Sequence, residues 1–267
     1  MKDKNQILEI DKTSEGILRL LLNDPKNKNA LSDKMIVQLK EQLSKASTDN
    51  SIKVIVIAAV GDVFCSGHNL KELTDARSNE DDGKSYFLDL FNLCSSLMQM
   101  IISCSKPVIA EINGIATAAG CQLVASCDLA IASEASKFAT PGVNIGLFCS
   151  TPMVALSRNV NKKDSMKMLL TGDMIDAAEA KRISLINDYV SAEKLNDSVM
   201  SLAKKIANKP LSTVKIGKEA FYRQYEMSLT EAYEFTSKVM TDNSLSEEAV
   251  EGIASFLEKR NPLWKYD

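Results

Sequence analysis

The sequence predicts an α/β fold whose chain ends in an all-helical region, and three stretches carry that reading. Lys53–Val60 (K-V-I-V-I-A-A-V) is an unbroken apolar, β-branched run, the mark of a strand covered on both faces. Two strand-like runs and a helical period precede it, so strands and helices alternate as they do around a partly buried sheet. From Ala192 to Asp267 every apolar period is helical.

Taken in order, Ile7–Ile10 and Gly16–Leu22 read as paired strands that turn near Ser14–Gly16. Asn23–Asn29 is a polar loop containing Pro25. Ser32 can cap a helix whose Met35, Ile36, Leu39 and Leu43 share one face. Gly61–Gly67 follows the Lys53–Val60 strand as a loop. Arg77–Lys84, charged and without apolar period, reads as a mobile segment or lid. Tyr86–Ile102 is a long helix and Val108–Ile112 a strand. Asn113-Gly114 suits a turn with positive φ, and Ile115–Cys127 reads as a helix buried on all sides. A short strand at Asp128–Ala132 and an apolar loop at Phe138–Phe148 come next. Helices follow at Met153–Arg158, Ser165–Leu170 and Asp176–Arg182, the last capped by Asp176. Leu185–Val190 is a late strand or extended link. The tail carries Leu195, Val199, Leu202 and Ile206 on one helix, with further helices at Val214–Tyr225, Leu229–Met240 and Glu247–Lys259. The expected organisation is a core over 1–191 and a helical oligomerisation region over 192–267.

Composition narrows the function. With 267 residues, 45% apolar and 25% charged, the chain has an ordinary soluble balance. A net charge of −3 with scattered lysines gives no reason to expect a nucleic-acid partner. Glu111, Asn113 and Gln122 interrupt the most apolar stretch, so no membrane span is expected. Six cysteines without C-x-x-C pairing suit a reducing compartment. The first ten residues lack an apolar signal core, and the expected location is cytoplasmic. No metal is expected, since the single histidine, His68, has no ligand cluster around it in sequence.

The stretch Pro107–Asp128 is the chemical centre. Ala116, Ala118, Ala119 and Gly120 leave the backbone N–H groups at a helix start uncovered, where a carbonyl oxygen or anion could dock. The same small residues also suit close packing alone, and the pattern by itself leaves both readings open.

Several segments are decisive together. Phe64-Cys65-Ser66-Gly67-His68-Asn69-Leu70-Lys71-Glu72 and Asn113-Gly114-Ile115-Ala116-Thr117-Ala118-Ala119-Gly120-Cys121-Gln122 occur with Lys106-Pro107-Val108, Cys127-Asp128-Leu129, Phe138-Ala139-Thr140-Pro141 and Leu170-Thr171-Gly172. In that order and along nearly the whole chain they resemble the enoyl-CoA hydratase/isomerase (crotonase) family. The resemblance implies a spiral of ββα units with a C-terminal all-helical trimerisation region, assembled as a homotrimer or a dimer of trimers. It implies an acyl-CoA ligand, with the coenzyme A thioester as substrate and no further cofactor. The oxyanion-hole donors would be the N–H groups of His68 and Ala119. Cys65, Ser66 and His68 would offer main-chain contacts to coenzyme A, Lys71 would approach phosphate, and Lys259 would reach the coenzyme A phosphate of a neighbouring subunit.

The positions that match the family's two catalytic glutamates hold Gln122 and Gly142. Glutamine cannot exchange protons near neutral pH, and glycine has no side chain. Acid–base groups supply roughly 10²–10⁴-fold. The expectation is therefore an enzyme that processes acyl-CoA thioesters, a lyase or isomerase of unassigned reaction, in which ordinary hydration is impaired. A catalytically silent acyl-CoA-binding protein is the alternative. His68, Cys121, Cys149 and Glu111 are the remaining candidates for proton transfer or nucleophilic work.

Overall fold

The computed structural model describes residues 6–264. It opens with an antiparallel pair, β1 (Leu8–Lys12) and β2 (Ile17–Leu22), turning at Gly16. Ser32 accepts a hydrogen bond from the Met35 N–H and starts α1 (Asp33–Thr48), whose Met35, Ile36, Leu39 and Leu43 are buried. β3 (Val54–Ala59) runs parallel to β2. Next come β4 (Val63–Cys65), α2 (Leu70–Ala76), α3 (Lys84–Ser103), β5 (Val108–Ile112) and β6 (Ile115–Thr117). α4 (Ala119–Ser126), β7 (Leu129–Ser133) and β8 (Lys137–Ala139) complete the centre. A 3₁₀ turn over Pro141–Ile145 leads to α5 (Pro152–Asn159), α6 (Lys162–Thr171), β9 (Ile175–Asp176), α7 (Ala177–Arg182) and β10 (Asp188–Val190). Four helices end the chain: α8 (Ala192–Ala207), α9 (Leu211–Tyr225), α10 (Leu229–Ser244) and α11 (Glu247–Leu257).

The strands form two sheets. The larger has the order β1-β2-β3-β5-β7-β10, parallel from β2 onward; the smaller has the order β4-β6-β8-β9. Strand alternation sorts the larger sheet's residues onto two faces. Ile55, Ile57, Val108, Ala110 and Ile112 join the main core with α1, α3 and α4. Val54, Val56, Ile109 and Ile131 form a second core with Leu195, Val199 and Ala203 of α8. The first helix of the C-terminal region thus closes the sheet's second face. α3 is long and apolar enough by composition to cross a membrane, but it is a packed helix of this core, burying Leu90, Cys94, Leu97, Met98 and Ile101.

The structure differs from the sequence expectation where strands are short. Gly61–Gly67 is not all loop, because Val63–Cys65 pairs in parallel with Ile115–Thr117. The same pairing takes the first three residues of the expected 115–127 helix, which begins only at Ala119. A three-residue strand has too little period to be distinguished from a helical or loop segment. Arg77–Lys84 is a turn in which Asp81 accepts hydrogen bonds from the Gly83 and Ser85 N–H groups, at 3.0 and 2.8 Å. Glu111 faces α8, paired with Arg19 at 3.0 Å on the sheet face away from the main core.

Candidate active site

The smaller sheet brings two loops together. β4 delivers Ser66-Gly67-His68 against the junction of β6 and α4. Gly67 makes this possible: its φ is +93°, and a Cβ there would lie 2.9 Å from the Ala118 Cβ and 3.2 Å from the Ala119 nitrogen. Behind it, Gly120 lets α4 lie on β4, since a Cβ at that position would meet the Cys65 carbonyl oxygen at 2.1 Å. Neighbouring elements fix both loops. The Leu31 N–H donates to the Gly67 carbonyl at 2.8 Å, the Thr117 hydroxyl to the Ser66 carbonyl at 3.2 Å, and the Ala118 N–H to the Ala139 carbonyl at 3.0 Å.

Ala118 precedes α4 with φ 51° and ψ −121°, and no side chain caps the helix. The first N–H groups of a helix have no partner within it, and they carry the positive end of its dipole. The start of α4 therefore presents Ala119 as bare backbone beside the Gly67-His68 segment.

These groups border a cavity of about 460 Å³. Ser66, His68, Ala119 and Gly142 line it, together with Leu73, Phe91 and Cys149. The other residues proposed from sequence lie elsewhere. Gln122 is buried outside the lining, with its Oε1 unpartnered. Cys65 is buried in β4, and Lys71 is exposed on α2. Lys259 follows α11 on the surface, away from the lining. No residue of 77–84 borders the cavity, so that segment does not cover it in this conformation.

His68 packs edge-on to Phe91, with ring centroids 5.6 Å apart. Its Nδ1 lies 3.4 Å from the Leu31 carbonyl oxygen, and its Nε2 is buried without a partner. Burial lowers its pKa below the ordinary histidine value, against opposing pulls from the Leu31 carbonyl and the Asp33 charge. The imidazole is accordingly neutral at pH 7.

The second glutamate position is filled rather than merely lacking an acid. A Cβ on Gly142 would meet the Leu147 carbonyl oxygen at 2.6 Å and the Cys149 Sγ at 2.9 Å. The Gly142 N–H instead donates to that sulfur at 3.3 Å. Burial raises the Cys149 pKa and pushes Cys121 up to about 12, so both are protonated thiols. Among the described residues that line the cavity, none is a carboxylate. The sequence reading did not single out Gly67 as a shaping residue. Its signal was present in the Ser-Gly-His triplet, since a glycine ahead of a backbone donor is where bare main chain must approach.

Comparison with known proteins agrees with this architecture. The family model described as enoyl-CoA hydratase/isomerase matches residues 12–267. Enoyl-CoA hydratase domain-containing protein 3, mitochondrial, of Xenopus laevis is 48% identical over 259 residues, covering 97% of this chain and 86% of the relative. The Homo sapiens protein of the same name is 46% identical over 253 residues, covering 95% and 82%. The crystal structure of an enoyl-CoA hydratase from Mycobacterium smegmatis superposes with a TM-score of 0.94 at 43% identity, covering 97% of this chain and 99% of the other. The crotonase-like α/β fold with its C-terminal helices is shared with that structure. The cytoplasmic expectation is overturned by the relatives' names, which place them in the mitochondrion. Free cysteines suit any reducing compartment, so they could not have separated the two locations.

Proposed function

The chain belongs to the enoyl-CoA hydratase/isomerase family, and from that premise we propose that it binds acyl-CoA thioesters and stabilises their enolates through backbone donors. The N–H groups of His68 and Ala119 hold the thioester oxygen. As negative charge builds on that oxygen, fixed donors and the field at the start of α4 stabilise it without reorganising. The observation that carries the reading is the bare Ala119 backbone beside Gly67 on the wall of the cavity. Neither glutamate position supplies an acid: Gln122 lies outside the cavity lining and cannot exchange protons, and Gly142 has no side chain. Coenzyme A is met by the main chain at Cys65 and Ser66 and by Lys71, with Lys259 serving a neighbouring subunit.

The reading includes assembly as a homotrimer or a dimer of trimers. Its support is the exposed apolar surface of the last three helices, including Phe221, Tyr233, Met240, Ile253 and Phe256. A second reading, a catalytically silent acyl-CoA-binding protein, is favoured by the lack of a carboxylate among the described lining residues and by the filled space at Gly142.

Incubation with crotonyl-CoA and longer 2- and 3-enoyl-CoAs in D₂O, followed by mass spectrometry, separates the two. Hydration, isomerisation and α-proton exchange each leave a distinct mass or retention. Turnover or exchange supports the enzyme. Tight binding without either supports the silent protein. Absence of thioester binding removes both.

A further inference from the structure

The cavity has a polarity that distinguishes among thioesters. Its seventeen lining residues include no lysine, arginine, aspartate or glutamate. Leu70, Leu73, Phe91, Ile145, Leu147 and Phe148 give it an apolar wall, and four of these, Leu70, Ile145, Leu147 and Phe148, are 56, 60, 47 and 44% exposed. Among the described lining residues the ionisable side chains are His68 and Cys149, and burial keeps both neutral.

We propose that this cavity selects thioesters of uncharged fatty acyl chains and rejects chains that end in a carboxylate. The inference rests on the thioester reading above and adds the chemical class of the acyl group. An alkyl chain gains by covering exposed apolar wall, in proportion to the area removed from water. A terminal carboxylate entering the same space loses hydration and finds no cation to pair with. The groups that bind the thioester are all at one end of the acyl chain, so they offer no compensation at the other.

The test is titration of the full-length protein with free CoA, butyryl-CoA, hexanoyl-CoA, decanoyl-CoA and adipyl-CoA. Affinity is expected to rise about fourfold per added methylene until the wall is covered. Adipyl-CoA matches hexanoyl-CoA in chain length and is expected to bind at least about a hundredfold more weakly. Ile145→Lys, at an exposed wall position, should tighten adipyl-CoA by about tenfold or more while weakening hexanoyl-CoA. Equal affinity for adipyl- and hexanoyl-CoA overturns the proposal, as does affinity that is flat from four to ten carbons. Failure of CoA and of every thioester to bind is a different result, because it removes the thioester reading itself.

Discussion

Replacing Gly67 with alanine puts a methyl group where the proposed oxyanion hole opens. The backbone there has φ +93°, and left-handed geometry costs an L-residue roughly 1–2 kcal/mol. The new Cβ would stand 2.9 Å from the Ala118 Cβ, inside ordinary carbon–carbon contact of about 3.5–4.0 Å. It would also stand 3.2 Å from the Ala119 nitrogen, over the donor itself. Gly67→Ala should therefore lower Tm by about 2–8 °C. Loss of one oxyanion-hole donor typically costs about 10²–10³ in rate, so α-proton exchange should slow by that factor. Exchange is followed with a saturated acyl-CoA in D₂O by mass spectrometry, and stability by thermal melting. Gly217→Ala is the control: it lies in α9, and a Cβ there meets nothing within 4 Å. It should gain about 0.4–1 kcal/mol and leave exchange unchanged. A folded Gly67→Ala protein that exchanges at the parent rate would refute the assignment of Ala119 as a donor.

Three more outcomes are expected. Gly142→Glu should not restore hydration, because its Cβ meets the Leu147 carbonyl and the Cys149 sulfur before the carboxylate can be placed; a hydratase assay and a melt should show no activity and reduced stability. Lys218→Met should cost about 3–5 kcal/mol in urea unfolding, since it removes the buried ammonium that contacts the Asp128 carboxylate at 2.6 Å and leaves that charge only the Tyr222 hydroxyl and the Val108 N–H as donors. His68 has a folded pKa below its unfolded one, so the unfolded state binds more protons in the interval between them. Its contribution is present in full above the unfolded value near 6.5 and is lost as pH falls through that interval, and unfolding curves should show His68→Gln with a flatter dependence below about pH 6.5 than the parent.

Much of the fold was legible because long elements carry long periods. The α1 stripe of Met35, Ile36, Leu39 and Leu43, its Ser32 cap and the continuous apolar run of β3 all lie where the pattern puts them. The smaller sheet was not legible, since β4 and β6 have three residues each and are stabilised by partners distant in sequence. Glu111 shows the same limit at a single residue. Its pairing depends on Arg19 across the sheet and Asn196 on α8, neither of which is a sequence neighbour. In the site, the motifs located the Gly67–His68 and Ala118–Ala119 segments. They could not show that a cysteine seven residues downstream fills the space at Gly142, which depends on how the 3₁₀ turn folds back.

The order of strands in the larger sheet has a consequence for how the chain assembles. β1, β2, β3, β5 and β7 stand side by side in the same sequence in which they leave the ribosome. Each pairs with an edge that already exists, so no strand must be threaded between two others, and growth can proceed from the N-terminus during synthesis. The β7 edge waits longest. Between Ser133 and Asp188 the chain builds the smaller sheet's last strands and three helices before β10 arrives to cover it. That interval is when the nascent protein has an unpaired parallel edge to offer, and when a holdase would have most to protect.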